Sequence, residues 1–312
     1  MGLHSLAMDV TKDLKSKKEE LLGYFRYRSR EILSELAVQY AARDFKKKAS
    51  AFNKAIVRSR ETLLASLTEV ARSENWTNSE ILESVLMITY ANDLAMLEAR
   101  NSIWEYDYMT FSRRIGELWE SFCKLCFSYP STKISKFVPP LFLEVKNSLS
   151  MEVTAYIDGL KLHVDEKAKL KKYYDKVWGL VTSGEIQLEC DLHFTDGITK
   201  YVVDFKSSFG SNEKGNTNRL LLVGSVYNYI ETESYQCALF VRSVENSHYL
   251  TVLRNSGVWN VSCGVEAYDR IHQFTGFDLH RWIEDNVDWM DDFSSEMREV
   301  VVRKNLQSYL VW

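Results

Sequence analysis

The sequence predicts an α/β protein in which a long helical region precedes the part that contains the sheet. No glycine lies between Gly23 and Gly116 and the first proline is Pro130, so little in the first 128 residues interrupts helix formation. After Pro130, valine, isoleucine, aromatic and turn residues become more frequent, which favours strands. A chain of 312 residues with 46% apolar residues is long enough for one large domain or two modest ones.

The helical region, residues 1–109, is basic in its first half. Residues 1–60 carry 14 Lys and Arg against 7 Asp and Glu, whereas the remaining residues carry a net charge of −11. A basic helical region can contact a DNA backbone or form a dimer, and it can equally be the solvated side of a helical bundle. Within it, Thr77 and Glu80 have the spacing of a capping box and predict a helix start.

The second region, residues 110–312, mixes helix and strand patterns. Apolar residues at helical spacing, from Ile115 to Cys126, predict a helix in which Cys123 and Cys126 are buried side chains and not zinc ligands. We predict strands at 141–146, 151–157, 185–194, 199–206 and 236–242, a helix at 217–231 and further helices from Phe277 to Trp312.

One predicted β-hairpin is the most informative feature. From Glu185 to Phe194 apolar and polar residues alternate, which is typical of a half-buried strand. Asp196-Gly197 then favours a two-residue type I′ turn, and Thr199 to Lys206 forms the returning strand.

A two-residue turn fixes which side chains of the hairpin face each other. It predicts that Glu189 lies opposite Asp204 and Gln187 opposite Lys206, with Asp191 diagonal to Asp204 on the same face. Three carboxylates and one lysine would then converge, and like charges facing each other across a sheet are unfavourable.

A divalent cation would resolve this conflict. Hard oxygen ligands suit Mg²⁺, which fills its remaining positions with water and phosphate oxygens. Lys206 would hold the attacking water and offset the charge that develops on the phosphate. The pattern therefore predicts hydrolysis of a phosphodiester at a Mg²⁺ site where the carboxylates of Glu189, Asp191 and Asp204 converge with Lys206, which makes Glu189 a candidate ligand.

These residues resemble the core motif of the restriction-endonuclease-like PD-(D/E)XK nucleases, in which an Asp on one strand precedes (Asp or Glu)-x-Lys on the next. The resemblance covers residues 110–245 and implies a mixed central sheet flanked by helices. It also implies that Asp191 and Asp204 are catalytic metal ligands, that the Phe205 carbonyl is a further ligand and that Lys206 is the catalytic lysine. This chain has Cys190 where the motif has proline. The resemblance also suggests a helical glutamate in the site, and Glu120 is the candidate.

A polar, glycine-containing loop follows Lys206 and ends at Arg219. Its hydroxyl, amide and basic groups are the types that contact phosphates and base edges, although such loops are also common as plain surface turns. The candidate DNA-contacting residues are Ser208, Asn212, Lys214, Asn216, Asn218 and Arg219.

Three other acidic-x-Lys triplets compete with Asp204-Phe205-Lys206. Asp13-x-Lys15 and Asp165-x-Lys167 lie in charged helical stretches. Glu144-x-Lys146 is the stronger competitor because its surroundings also have a strand pattern, but Pro139-Pro140 leaves no acidic strand before it at hairpin distance.

Several classes of protein are excluded by composition. The sequence has no signal peptide and no apolar run near the 20 or so residues that span a bilayer, so we expect neither secretion nor membrane insertion. Five irregularly spaced cysteines argue against a disulfide framework and for a reducing, cytoplasmic location.

The sequence as a whole predicts a Mg²⁺-dependent endonuclease of double-stranded DNA, most like a type II restriction endonuclease. We expect a homodimer, because two-fold symmetry matches palindromic DNA. Two alternatives keep parts of this prediction: a repair, recombination or transposition nuclease with the same site, and a non-catalytic DNA-binding protein.

Overall fold

A computed structural model describes residues 14–41, 43–181, 186–230 and 233–312. None of the helices in these ranges combines the length and the apolar character needed to cross a bilayer. The described strands are β1 (Ser135–Lys136), β2 (Leu192–Thr195), β3 (Lys200–Lys206), β4 (Tyr235–Val241) and β5 (Asn260–Cys263). The described α-helices are α1 (Lys18–Gln39), α2 (Phe45–Ser73), α3 (Asn78–Ile103), α4 (Tyr108–Cys126), α5 (Phe142–Gly159), α6 (Val164–Val181), α7 (Lys214–Asn228), α8 (His248–Asn255), α9 (Val265–Thr275), α10 (Leu279–Asn286), α11 (Trp289–Asp292) and α12 (Ser295–Arg303).

The N-terminal part is helical, as predicted, and α3 forms its centre. Thr77 caps α3, and the Glu80 side chain accepts a hydrogen bond from the Thr77 backbone N–H at 2.7 Å, so the predicted capping box is confirmed. All but one residue of α3 between Ser84 and Ala99 is buried, because α1, α2 and α4 pack around it. A helix that is buried on all sides stabilises the region mainly through apolar burial.

The sheet has five strands in the order β1-β2-β3-β4-β5. The strands β1, β2 and β3 pair antiparallel, whereas β3, β4 and β5 pair parallel, so the predicted mixed sheet flanked by helices is confirmed. Parallel neighbours require crossover connections, and α7 and α8 supply them. The crossover through α7 begins with the loop that follows the end of β3.

Both faces of the central strands are buried. Val203 and Phe205 of β3 belong to the core that includes Trp119 of α4, whereas Val202 faces a second core that includes Leu220 of α7. The first core also holds buried residues of α1, α2 and α3, so it extends across the predicted boundary at residues 109 and 110, which falls within the first turn of α4.

The predicted strands at 141–146 and 151–157 are wrong, because both segments lie in α5. The Glu144 carboxylate accepts a hydrogen bond from the Leu141 backbone N–H at 2.9 Å and so caps the first turn of a helix. Val145 and Ile157 are the buried residues of α5.

Except for the strand expected at 185–194, the remaining predicted elements are confirmed with small shifts of their ends. The strands expected at 199–206 and 236–242 are β3 and β4, the helix expected at 217–231 is α7, and the C-terminal segment is helical. The strand expected at 185–194 is limited to β2, and Glu185 lies outside the described residues. The short strands β1 and β5 were not predicted.

Candidate active site

The β2–β3 hairpin has a different register from the one that the sequence predicts. Thr195 pairs with Lys200 and Leu192 pairs with Val203, so the connecting loop has four residues, 196–199, instead of two. The Asp196 carboxylate explains the longer loop, because its Oδ1 accepts hydrogen bonds from the backbone N–H groups of Ile198 at 2.9 Å and Thr199 at 2.8 Å. The predicted pairs of Glu189 with Asp204 and of Gln187 with Lys206 are therefore wrong.

The observed register brings Asp191 to Asp204. A shift of two residues preserves the face on which each side chain lies, and continuing the ladder past Leu192 and Val203 makes Asp191 the partner of Asp204. Asp191 replaces a strand hydrogen bond with its side chain, because its Oδ2 accepts from the Phe205 backbone N–H at 2.8 Å. The two aspartates thus meet at the end of the sheet where β3 stops.

The Asp204 carboxylate is buried and forms ion pairs with two basic side chains. Its residue is only 1% exposed, its Oδ1 contacts the Lys206 ammonium, and its Oδ2 accepts from Arg219 Nη2 at 2.7 Å. Burial opposes the charge on Arg219, but the neighbouring Asp204 carboxylate outweighs it and raises the arginine pKa. The Lys206 ammonium also donates to the Phe205 carbonyl at 3.0 Å and lies 4.0 Å from Asp191 Oδ2.

Helix α4 contributes Glu120 and Lys124 to the same place. The Lys124 ammonium lies 2.5 Å from Glu120 Oε1 and 3.3 Å from Asp191 Oδ1. Burial lowers the pKa of Lys124, but the two carboxylates outweigh it, and the pKa is raised. Gly116 allows this close approach, since a Cβ at that position would lie 2.6 Å from the Cβ of Ser207.

The cluster is electrically balanced. Three carboxylates, those of Glu120, Asp191 and Asp204, meet the three cations of Lys124, Lys206 and Arg219. Sequence reasoning expected one lysine among three carboxylates, so the charge conflict that suggested a metal is already reduced by side chains of this chain. A cation remains chemically suited to the site, but charge balance does not require it.

The donor atoms fit a hard cation in type. Two carboxylates and the Phe205 carbonyl, all on adjacent strand ends, are oxygen ligands of the kind that Mg²⁺ takes. The Lys206 ammonium lies among these oxygens, so a metal would bind with Asp191, Asp204 and the carbonyl only after the ammonium moves aside. Among the described residues, no group of three or more His, Cys, Asp or Glu side chains is arranged to hold a metal ion.

An open cleft of about 450 Å³ lies beside the cluster, between α4 and the end of β3. Gly116 and Glu120 line one side of it, and Lys206, Ser208 and Glu213 line the other. The Lys206 ammonium is therefore accessible to a ligand in the cleft, whereas the Asp204 carboxylate lies beneath the surface. This geometry suits a polar substrate group that approaches Lys206 from solvent.

The candidate DNA-contacting residues fall into two groups. Ser208, Asn212, Lys214, Asn216 and Asn218 are exposed on the loop and first turns of α7, near the cleft. Arg219 instead points toward Asp204, and it belongs to the charged cluster. The Asn216 amide donates to Glu213 at 2.6 Å, so it is already partly engaged.

Glu120 and Glu189, the two other predicted metal ligands, lie in different places. Glu120 reaches the cleft, where its carboxylate is paired with Lys124. Glu189 is exposed and lines a separate groove with Val138 and Leu141, and within the described ranges no ion pair or hydrogen bond joins it to the cluster. The hairpin register excluded Glu189 because the loop gained two residues.

Two of the competing triplets lie in helices. Glu144 and Lys146 lie in α5, and Asp165 and Lys167 lie in α6. Asp13 lies outside the described residues. Cys123 and Cys126 are buried in the core, where burial raises the pKa of both thiols, so the prediction that they are buried side chains is confirmed.

Lys124 is the site residue that sequence reasoning missed. It follows Glu120 by four residues on the helix face that points toward the sheet, which is the spacing of a helical ion pair.

Comparisons of the chain with models of known families, with curated proteins and with solved structures find no match.

Proposed function

We propose that this protein is a Mg²⁺-dependent endonuclease that hydrolyses phosphodiester bonds of double-stranded DNA. The observation that carries the proposal is the meeting of Asp191, Asp204 and Lys206 at one end of the sheet, beside an open cleft. Asp204 and Lys206 lie on β3, Asp191 directly precedes β2 in the same hairpin, and the spacing of the three resembles the PD-(D/E)XK motif. The mixed sheet with helices on both faces is consistent with the core that this resemblance implies.

The side chains have distinct roles in this proposal. Asp191, Asp204 and the Phe205 carbonyl would hold the metal, which when bound lowers the pKa of a water and polarises the phosphate. Lys206 donates hydrogen bonds to the attacking water and offsets negative charge on the phosphate oxygens. For this role the ammonium leaves its contact with Asp204 Oδ1 and turns toward the cleft, where it is already partly exposed.

Arg219 and Lys124 are positioning residues. Arg219 holds one oxygen of the buried Asp204 carboxylate, so the other oxygen keeps a fixed direction toward Lys206. Lys124 holds Asp191 Oδ1 while the Phe205 N–H holds Oδ2. Such anchoring reduces the rearrangement that a reacting site needs at each turnover.

The loop between Lys206 and α7 supports the proposal that the substrate is double-stranded DNA. Ser208 lines the cleft, and the exposed amide and lysine groups that follow it up to Asn218 provide further donors for phosphates and base edges. Sequence-specific cleavage by a homodimer in the cytoplasm, as in a type II restriction endonuclease, is the narrower form of the proposal.

A second candidate function is favoured by the charge balance of the cluster. If the ion pairs of Asp204 with Lys206 and Arg219 serve only to stabilise the end of the sheet, the protein binds DNA without cutting it. A repair, recombination or transposition nuclease would use the same residues and differ in how the target is selected.

One assay separates these candidates: purified protein is incubated with a sequenced supercoiled plasmid and Mg²⁺, beside Asp204→Asn and the control Asp269→Asn, which replaces an exposed residue of α9. Discrete fragments from wild type and control, with none from Asp204→Asn, support a restriction endonuclease. Nicking or cleavage only at branched DNA supports a repair nuclease. DNA binding with intact plasmid supports the non-catalytic candidate and overturns the proposed chemistry.

A further inference from the structure

The segment between β1 and β2 forms a two-helix arm that contrasts with the rest of the molecule. The arm, residues 138–181, contains α5 and α6. The two helices contact each other along one side of α6. There Lys171 of α6 pairs with Asp158 of α5 at 2.8 Å, and the rings of Phe142 of α5 and Trp178 of α6 lie 6.2 Å apart. None of the described side chains of α6 is buried. The arm therefore stands away from the two hydrophobic cores along most of α6.

The arm exposes an unusual amount of apolar surface. Of the 23 large apolar side chains that are exposed in the described residues, ten lie between Val138 and Val177. On α6, Leu170, Tyr173 and Val177 are 40%, 53% and 58% exposed and follow a spacing of three and four residues, so they form one stripe. Contiguous apolar surface of this kind marks a contact with another protein.

A separate apolar groove lies at the base of the arm. It encloses about 710 Å³ and is lined by residues before and within α5 and by residues that lead into β2, among them Val138, Leu141, Phe142, Ile186 and Leu188. A groove of this composition accepts an apolar side chain from a facing helix.

The charges of the two helices identify a partner. Outside the Lys171–Asp158 pair, which is internal to the arm, α5 carries two acidic residues and one lysine, a net of −1, whereas α6 carries four lysines and three acidic residues, a net of +1. A second arm turned by 180° places the acidic α5 of one copy against the basic α6 of the other. DNA would be attracted by α6 and repelled by α5, so the arm as a whole matches a copy of itself better.

The dimensions of the arm are sufficient for a stable interface. A helix of 18 residues is about 27 Å long and about 10 Å wide, so the two helices of one arm together present roughly 540 Å², and two facing arms roughly 1,080 Å². Specific interfaces bury about 1,000 Å² or more in total. We propose that the arm is the surface through which two copies of this chain form a two-fold dimer.

The dimer is independent of the proposed nuclease activity, because its test needs neither DNA nor metal. The molar mass of the full chain is measured by light scattering at micromolar concentration for wild type and for the triple variant Leu170→Glu, Tyr173→Glu, Val177→Glu. We expect wild type near twice 36.3 kDa and the triple variant at 36.3 kDa. The three sites are exposed, so the variant should keep its fold, which circular dichroism checks.

A matched control carries the same three charge changes outside the arm. In Val38→Glu, Val302→Glu, Val311→Glu the replaced valines are 91%, 51% and 72% exposed, and the dimer mass should persist. A monomeric wild type, a dimeric arm variant, or a control that dissociates as readily as the arm variant would each overturn the inference. The variant Lys169→Gln, Lys172→Gln, Lys176→Gln should dissociate at a higher protein concentration than wild type, because three of the five lysines of α6 lose their charge; a monomeric wild type whose DNA binding needs these lysines would assign the arm to nucleic acid instead.

Discussion

Replacing Gly116 by alanine tests whether α4 must lie as close to the end of β3 as the structure places it. The new Cβ would lie 2.6 Å from the Cβ and 2.9 Å from the Oγ of Ser207. Carbon atoms in contact are about 3.5–4.0 Å apart, so helix and strand would have to separate by ~1 Å. Gly23 in α1 provides the matched control, because nothing lies within 4 Å of a Cβ added there.

The expected free-energy changes have opposite signs at these two positions. Alanine in a helix interior is favoured over glycine by about 0.5–1 kcal/mol, and at Gly23 only this gain applies. At Gly116 the gain is opposed by overpacking, which costs about 1–3 kcal/mol. We therefore expect Gly23→Ala to raise the free energy of unfolding and Gly116→Ala to lower it, by roughly 0.5–2 kcal/mol.

Urea unfolding followed by circular dichroism measures both changes, and a second variant identifies the cause. Removing the Ser207 side chain in Gly116→Ala, Ser207→Gly should recover at least about 1 kcal/mol, because the clashing Cβ and Oγ are gone. If Gly116→Ala is as stable as Gly23→Ala, the close approach of α4 and Ser207 is wrong. The distance of 3.3 Å between Lys124 and Asp191 depends on the same approach of α4 to the sheet, so it would be unsupported as well.

Three further predictions concern charged groups. Arg219→Gln should lower the free energy of unfolding by about 1–2 kcal/mol, since Arg219 is partly exposed and Lys206 still neutralises Asp204; in an Asp204→Asn background urea unfolding should detect almost no effect. Lys206→Ala should bind Mn²⁺ about tenfold more tightly in calorimetry, because a like charge leaves the oxygen ligands, and unchanged or weaker binding would contradict the metal assignment. Burial raises the pKa of Asp93 to about 6, so the folded state binds the proton of this carboxyl group more tightly than the unfolded state does. The stability that this proton contributes is complete below pH 3.8 and is lost as the pH rises to about 6. Asp93→Asn should therefore gain stability relative to wild type across that window, by up to about 3 kcal/mol in urea unfolding, and a difference that is constant with pH would refute this.

The hairpin shows how far local patterns determine the site. Alternation along β2 and β3 predicted the strands and the face that carries Asp191 and Asp204, because side chains of a strand alternate regardless of its partner. The register depended on one side chain, Asp196, whose hydrogen bonds to the backbone lengthen the loop. A two-residue slip retained the correct face and changed the partner of Asp204 from Glu189 to Asp191.

Contacts that are distant in sequence account for most of what was missed. Lys124 and Arg219 have ordinary helical surroundings in the sequence, and only the packing of α4 and α7 against the sheet brings them to the two aspartates. The segment after Pro140 has a strand pattern of apolar residues, but Glu144 caps a helix there. In each case tertiary packing or a single cap decides between local alternatives of similar energy.

Single-turnover cleavage of DNA in Mg²⁺, comparing Lys206→Ala with Lys200→Ala, tests the central claim most directly. Both lysines lie on the same face of β3, but Lys200 pairs with Glu233 at the opposite end of the strand. We expect Lys200→Ala to cleave as fast as wild type and Lys206→Ala to be slower by about 100-fold or more. Equal rates for the two variants, or no cleavage by wild type, would contradict a hydrolytic site built from Asp191, Asp204 and Lys206.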